Sequence, residues 1–151
     1  MRTKRFLAAA LAASLLLLAA GVYAQVSRPY RNGSVWDVAF IRMKPGMESA
    51  YLDYIATDWK RNQEELKKAG LIVSYKVLTT EPHNPGDFNI LLMTEYKDLA
   101  SLEASEDKAD ALMQRVIGND DKQRQGYKER LEIREVMGNR LAREIVLEPR
   151  R

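Results

Sequence analysis

The sequence predicts an α+β fold, a four-stranded antiparallel sheet with helices on one face, in the order strand, helix, strand, strand, helix, helix, strand. Three observations predict it. Runs rich in β-branched and aromatic residues at 35–44, 71–80 and 88–98 are bounded by Pro, Gly, Asn or Asp. Apolar residues recur at helical steps over 47–69 and 99–117. Only one short, turn-rich segment separates the second run from the third, as a hairpin requires.

The domain is expected to follow an export signal at residues 1–24. Arg2, Lys4 and Arg5 precede a charge-free stretch from Phe6 to Val22 rich in Ala and Leu, and Val22 and Ala24 are the small pair before a cut. The alternative is an uncleaved anchor, but the apolar stretch is about 17 residues, at the lower edge of what spans a bilayer. The chain has no cysteine to carry a lipoprotein anchor, and the leader has no paired-arginine motif. The general secretion route, ending in the periplasm or outside the cell, is therefore expected.

Cleavage changes the charge argument. Removing the leader's three basic residues from the 24 in the chain leaves 21, equal to the 21 acidic ones. The basic pI then belongs to the leader, and no basic footprint for nucleic acid remains. Nor is a membrane partner expected once the leader is gone. With no cysteine, thiolate zinc and iron–sulfur sites are excluded, and stability must come from a buried core or from self-association.

Along the mature chain, residues 25–34 ("QVSRPYRNGS") read as a polar, flexible lead-in, with a sequon at Asn32-Gly33-Ser34. The single domain is expected over 35–151. Strand one, Val35 to Lys44, stops at Pro45-Gly46; Trp36, Val38, Phe40 and Arg42 share one face, with Val35, Asp37, Ala39, Ile41 and Met43 on the other. Both faces are largely apolar, so both should be covered. The first helix, Met47 to Ala69, carries a stripe of Met47, Tyr51, Tyr54, Ile55, Trp59 and Leu66, and Gly70 ends it. Strands two and three, Leu71 to Thr80 and Phe88 to Asp98, flank the connector "EPHNPGD". A helix from Leu99 to Ile117 turns Leu102, Ala109, Leu112, Met113 and Val116 inward. In the tail, "RLAREIVLE" is the last strand. Before it, 120–136 reads as a helix capped by Asn119, which the Lys, Gln, Arg and Glu content favours; alternatively Arg130 to Val136 pairs with Leu141 to Glu148 as a hairpin around Met137-Gly138-Asn139.

This order, with its extra helix before the last strand, is that of the ferredoxin-like split β-α-β unit. Its helices leave one sheet face bare, and a second copy of the chain is the economical cover.

The stretches "VWDVAFIRMKPGMESAYLDYI", "KKAGLIVSYKVL" and "FNILLMTEYKDLASLE" resemble the dimeric α/β-barrel superfamily, which includes antibiotic-biosynthesis-monooxygenase-like, EthD-like and NIPSNAP-like domains. The resemblance covers about residues 35–148 and rests on fold-level markers. It implies a homodimer joined through its sheet faces, with a cavity in each protomer. It also spans cofactor-free oxygenases, haem-degrading enzymes and lactone isomerases, so shared fold does not carry function with it.

Catalytic motifs are absent. There is no Gly-x-Ser-x-Gly, the glycines are scattered singly, and His83 is the sole histidine, so no imidazole cluster can hold a metal and any triad would require His83. No cofactor is expected; a haem would have only His83 as a strong axial ligand. His83 could still act as acid or base, although Pro82, Asn84, Pro85 and Gly86 around it are chosen for turn geometry. Asp37 is a candidate base, and Arg42, sharing a face with Trp36 and Phe40, could pair with an acidic ligand. The amphipathic aromatics Trp36, Phe40, Tyr54, Trp59, Tyr75 and Tyr96 are the candidate pocket lining, the alternative being plain core and interface. The expected function is an exported small-molecule-binding or accessory protein for a small apolar or aromatic ligand. A cofactor-free monooxygenase or isomerase acting on an aromatic or lactone-like compound, and a purely structural dimer, are the alternatives.

Overall fold

A computed structural model describes residues 29–148; the expected signal peptide at 1–24 lies outside them. The strands are β1 (Tyr30–Met43), β2 (Ser74–Thr79), β3 (Ile90–Tyr96) and β4 (Arg134–Leu147). The helical segments are α1 (Glu48–Tyr54) and α2 (Lys60–Lys68), joined through a π-helical turn at Ile55–Trp59, then α3 (Leu99–Val116) and α4 (Asp120–Ile133). The class is α+β, with one antiparallel sheet in the order β2-β3-β1-β4.

Most of the described residues lie in a unit formed by Asn32–Val146; residues 29–31 and 147–148 belong to a second. In that second unit the Glu148 N–H donates to the Pro29 carbonyl (2.8 Å), and Arg31 Nε meets Glu148 Oε1 (2.9 Å).

Register decides which side chains share a face. Ala39 lies opposite Leu92, Ile41 opposite Ile90, and Leu92 in turn opposite Val77. These alternate residues form the inner face, where Ile41, Ile90, Tyr51 and Ile55 make the fully buried cluster. Trp36, Val38 and Phe40 point the other way. On that outer face Phe88 packs edge-on against Phe40 (4.9 Å), and the Lys76 ammonium sits 5.0 Å from the Trp36 ring.

Local chemistry sets the element ends. Gly70, at φ +70°, closes α2: its N–H bonds the Lys67 carbonyl while the Leu71 N–H reaches Leu66, both at 3.0 Å. Asp98 caps α3 by accepting from the Ser101 N–H (2.7 Å). Asn119 caps α4 in the same way, accepting from Lys122 (3.2 Å), so the segment read as helix or hairpin is helix as far as Ile133 and strand from Arg134.

The largest boundary differences from expectation are in β1 and β4. Tyr30–Ser34, read from composition as part of a flexible lead-in, is strand. β4 begins at Arg134, six residues before "RLAREIVLE", and takes in the Met137-Gly138-Asn139 stretch. Cross-strand pairing supplies what local sequence lacks: Ser34 Oγ donates to Glu144 (3.3 Å), and Lys44 N–H to the Ile133 carbonyl (3.1 Å). Gly138 has φ +148°, a backbone that side chains resist, and there the strand's alternation slips by one. Val136 and Asn139, three apart, consequently face the same hollow.

Candidate functional site

A cavity of about 310 Å³ opens between the inner sheet face and the first helix. Its floor is Ala39, Ile41 and Leu92 from β1 and β3; its walls are Tyr51, Tyr54, Trp59, Tyr127 and Arg134. Tyr127 and Val136, 45% and 39% exposed, stand with Asn139 at its mouth. An apolar, aromatic hollow with few polar tips is the usual form of a small-molecule site.

The π-helical turn builds one wall. The Lys60 N–H bonds the Ile55 carbonyl, five residues back, so one residue more than an α-turn is accommodated. Trp59 and Tyr54, five apart, therefore come to the same cavity. The Thr57 hydroxyl donates to the Asp53 carbonyl (2.7 Å), satisfying a helix carbonyl beside the disturbed ladder.

Two of the polar tips, on Tyr51 and Arg134, are unusual in having no partners. Tyr51 is fully buried, and its hydroxyl makes no hydrogen bond among the described residues. Burial pushes its pKa up to about 12, against the opposing charge of Arg134, so it stays a protonated donor at any physiological pH. Arg134 is 8% exposed, with a buried Nε that has no partner. Its guanidinium lies 5.7 Å from the ring centres of both Tyr51 and Tyr127. Arg130, one turn earlier, stands 5.0 Å from the Tyr54 ring. Burial also holds the Tyr54 hydroxyl above its ordinary pKa. No carboxylate lines this cavity.

Two further hollows have a different chemistry. One of about 360 Å³ lies between the first helix and α4, and is the roomier. Its charges include carboxylates, with Asp58 bonded to Arg61 at 2.7 Å, so that arginine already has its counter-charge. The other, about 350 Å³, borders the "EPHNPGD" loop and is lined by Arg42, Pro82, Asn84 and Pro85 among others.

The residues singled out from sequence are distributed among these places. Tyr54 and Trp59 line the aromatic cavity. Tyr75 packs edge-on against Trp59 (5.4 Å) but turns its hydroxyl outward to Glu64. Trp36 and Phe40 are on the opposite sheet face and cannot reach the cavity. Arg42 is tied down by Glu135 and by the Pro85 carbonyl (3.2 Å) in the loop-side hollow. His83 is exposed; its backbone N–H donates to Asp87 (3.3 Å), and its ring joins neither Arg42 nor Asp37. Tyr96 is half-buried on the inner face, where burial, then the charges of Asp37 and Glu106, raise its pKa.

Asp37 is held at the rim by Asn139 Nδ2, which donates to it at 3.4 Å. Burial raises its carboxyl above the ordinary range, against that hydrogen bond. The folded state thus favours the neutral form, and the stability linked to this group is complete below about pH 4 and is lost as pH rises through the raised value. Asp37→Asn is therefore expected to raise the urea midpoint at pH 7 and to leave it unchanged at pH 3. A variant less stable than wild type at pH 7 would contradict this sign.

Tyr51, Tyr127 and Arg134 escaped the sequence-based candidate list. Tyr51 was legible as a stripe residue; nothing local marks Arg134. Among the described residues, no group of three or more His, Asp or Glu side chains could hold a metal ion, and no helix is long and apolar enough to cross a membrane. Comparison with family models, with curated proteins and with solved structures gives no significant match to this chain.

Proposed function

We propose that this is an exported small-molecule-binding or accessory protein that holds a small aromatic ligand beneath its first helix. The observation carrying this reading is the 310 Å³ cavity walled by Tyr51, Tyr54, Trp59 and Tyr127, with mouth residues exposed to solvent. The β2-β3-β1-β4 order is compatible with the ferredoxin-like, dimeric-barrel arrangement that the sequence resembles. On that arrangement the outer face, where Trp36 and Phe40 are only half-buried and Leu78 is 46% exposed, would meet a second copy.

The catalytic alternative, a cofactor-free monooxygenase or isomerase, needs a base in contact with the ligand. Asp37 has the raised pKa such a role calls for, but it reaches the cavity only through Asn139 at the rim. Binding without turnover is the better-supported reading.

A neutral, apolar fluorophore, N-phenyl-1-naphthylamine, tests the pocket. We expect saturable one-to-one binding with quenching of tryptophan emission, lost in Ala39→Phe, where the new ring occupies the floor. Sedimentation velocity followed at the probe's absorbance should show it travelling with a dimer. No saturable binding by the wild type would remove the pocket reading, and a probe carried by a monomer would remove the dimer.

A further inference from the structure

We infer that the ligand of the aromatic cavity is an anion, a carboxylate carried on a flat apolar body, with its charged end held by Arg134 and Tyr51. This rests on the binding reading above and names the chemical class it takes.

The argument starts from a cost. An arginine cannot shed its proton inside a protein, so burying it without a counter-charge is unfavourable. Arg134 is more than nine-tenths buried, yet no carboxylate lies within ion-pair distance of it among the described residues. Tyr51 and Tyr127 offer ring faces, which suit a cation but accept none of its in-plane N–H bonds. Those donors are left free in the fork geometry that a carboxylate fits bidentately.

Beside them is the Tyr51 hydroxyl, fully buried and also without a partner. A guanidinium and a phenol on one wall, both donors and both unsatisfied, ask for a single acceptor with two oxygens. Arg130, close by on the Tyr54 and Tyr127 rings, adds positive potential and no acceptor. The rest of the wall, Trp59, Tyr54, Ile41 and Leu92, is flat or apolar and would face the body of the ligand.

Fluorescence titration of the full-length protein with 2-naphthoate and with its neutral methyl ester separates the two levels of the claim. We expect the wild type to prefer the carboxylate by ~10-fold or more, as a buried charge-assisted pair warrants. In Arg134→Met the preference should vanish while the ester still binds, and in Tyr51→Phe it should fall a few-fold. Equal binding of acid and ester by the wild type would overturn the anion assignment and leave the pocket reading standing. Failure of both to bind would overturn the pocket itself. The wild-type comparison decides the matter even if Arg134→Met does not fold.

Discussion

Truncation of Tyr51 to alanine should cost about 3–5 kcal/mol of unfolding free energy, the range for deleting a buried aromatic ring. Tyr51 has no exposed surface, stacks on Tyr54 at 5.8 Å, and joins Ile41, Ile55 and Ile90 across the helix–sheet junction. No disulfide is available to offset the loss. In a domain stabilised by about 5–15 kcal/mol, this is a large share. Tyr51→Phe should behave oppositely, unchanged or slightly more stable, because it removes only a hydroxyl that lacks a partner. Urea denaturation of both variants at pH 7 checks the pair. A phenylalanine variant as unstable as the alanine one would mean that the hydroxyl, not the ring, is what the core depends on.

The second large effect has the opposite sign. Arg134→Met should stabilise the ligand-free protein by about 1–2 kcal/mol. Replacing a buried charge by an apolar chain of similar volume relieves desolvation, and only the two tyrosine ring contacts are lost. Thermal unfolding should move up by a few degrees. A residue whose removal stabilises the fold is retained for another reason, and binding is the reason the cavity offers. A clear fall in the melting temperature would show instead that Arg134 is structural, held by the tyrosine faces alone.

How much of this was legible in the sequence differs between elements. The first helix, α3 and the hairpin strands declare themselves through apolar spacing and through Gly70 and the Pro-rich connector. These are local signals, and the structure obeys them. The junction of α4 and β4 carries no such punctuation. "RLEIREV" alternates like a strand but has a helix former's composition, and the backbone turns extended at Arg134 without a glycine or proline. What decides there is pairing with β1, which no window of sequence contains.

The site divides along the same line. Tyr54 and Trp59 could be picked out because an amphipathic ring on a helix stripe has few places to go. Arg134 could not, because arginine is a surface residue by default and its burial depends on Tyr51, far away in the chain. Arg42, the arginine that looked promising, shares a strand face with Trp36 and Phe40; the helices, with the cavity, lie on the other side.

The extra residue in the first helix has a consequence for chain length. An α-helix advances about 100° per residue. The π-turn at Ile55–Trp59 therefore sets everything after it back by about one such step. On an uninterrupted helix, Asn62 would follow Tyr51 and Ile55 inward; with the turn, Gln63 does, and it is the residue that is buried and that accepts from Thr94 (3.4 Å). Tyr51 and Gln63, twelve positions apart, thus share the inner side because the turn takes up one residue. A deletion of one residue within the turn would restore an uninterrupted helix with Tyr51 and Gln63 still on its inner side, whereas an insertion of one more would turn Gln63 away by about 100°.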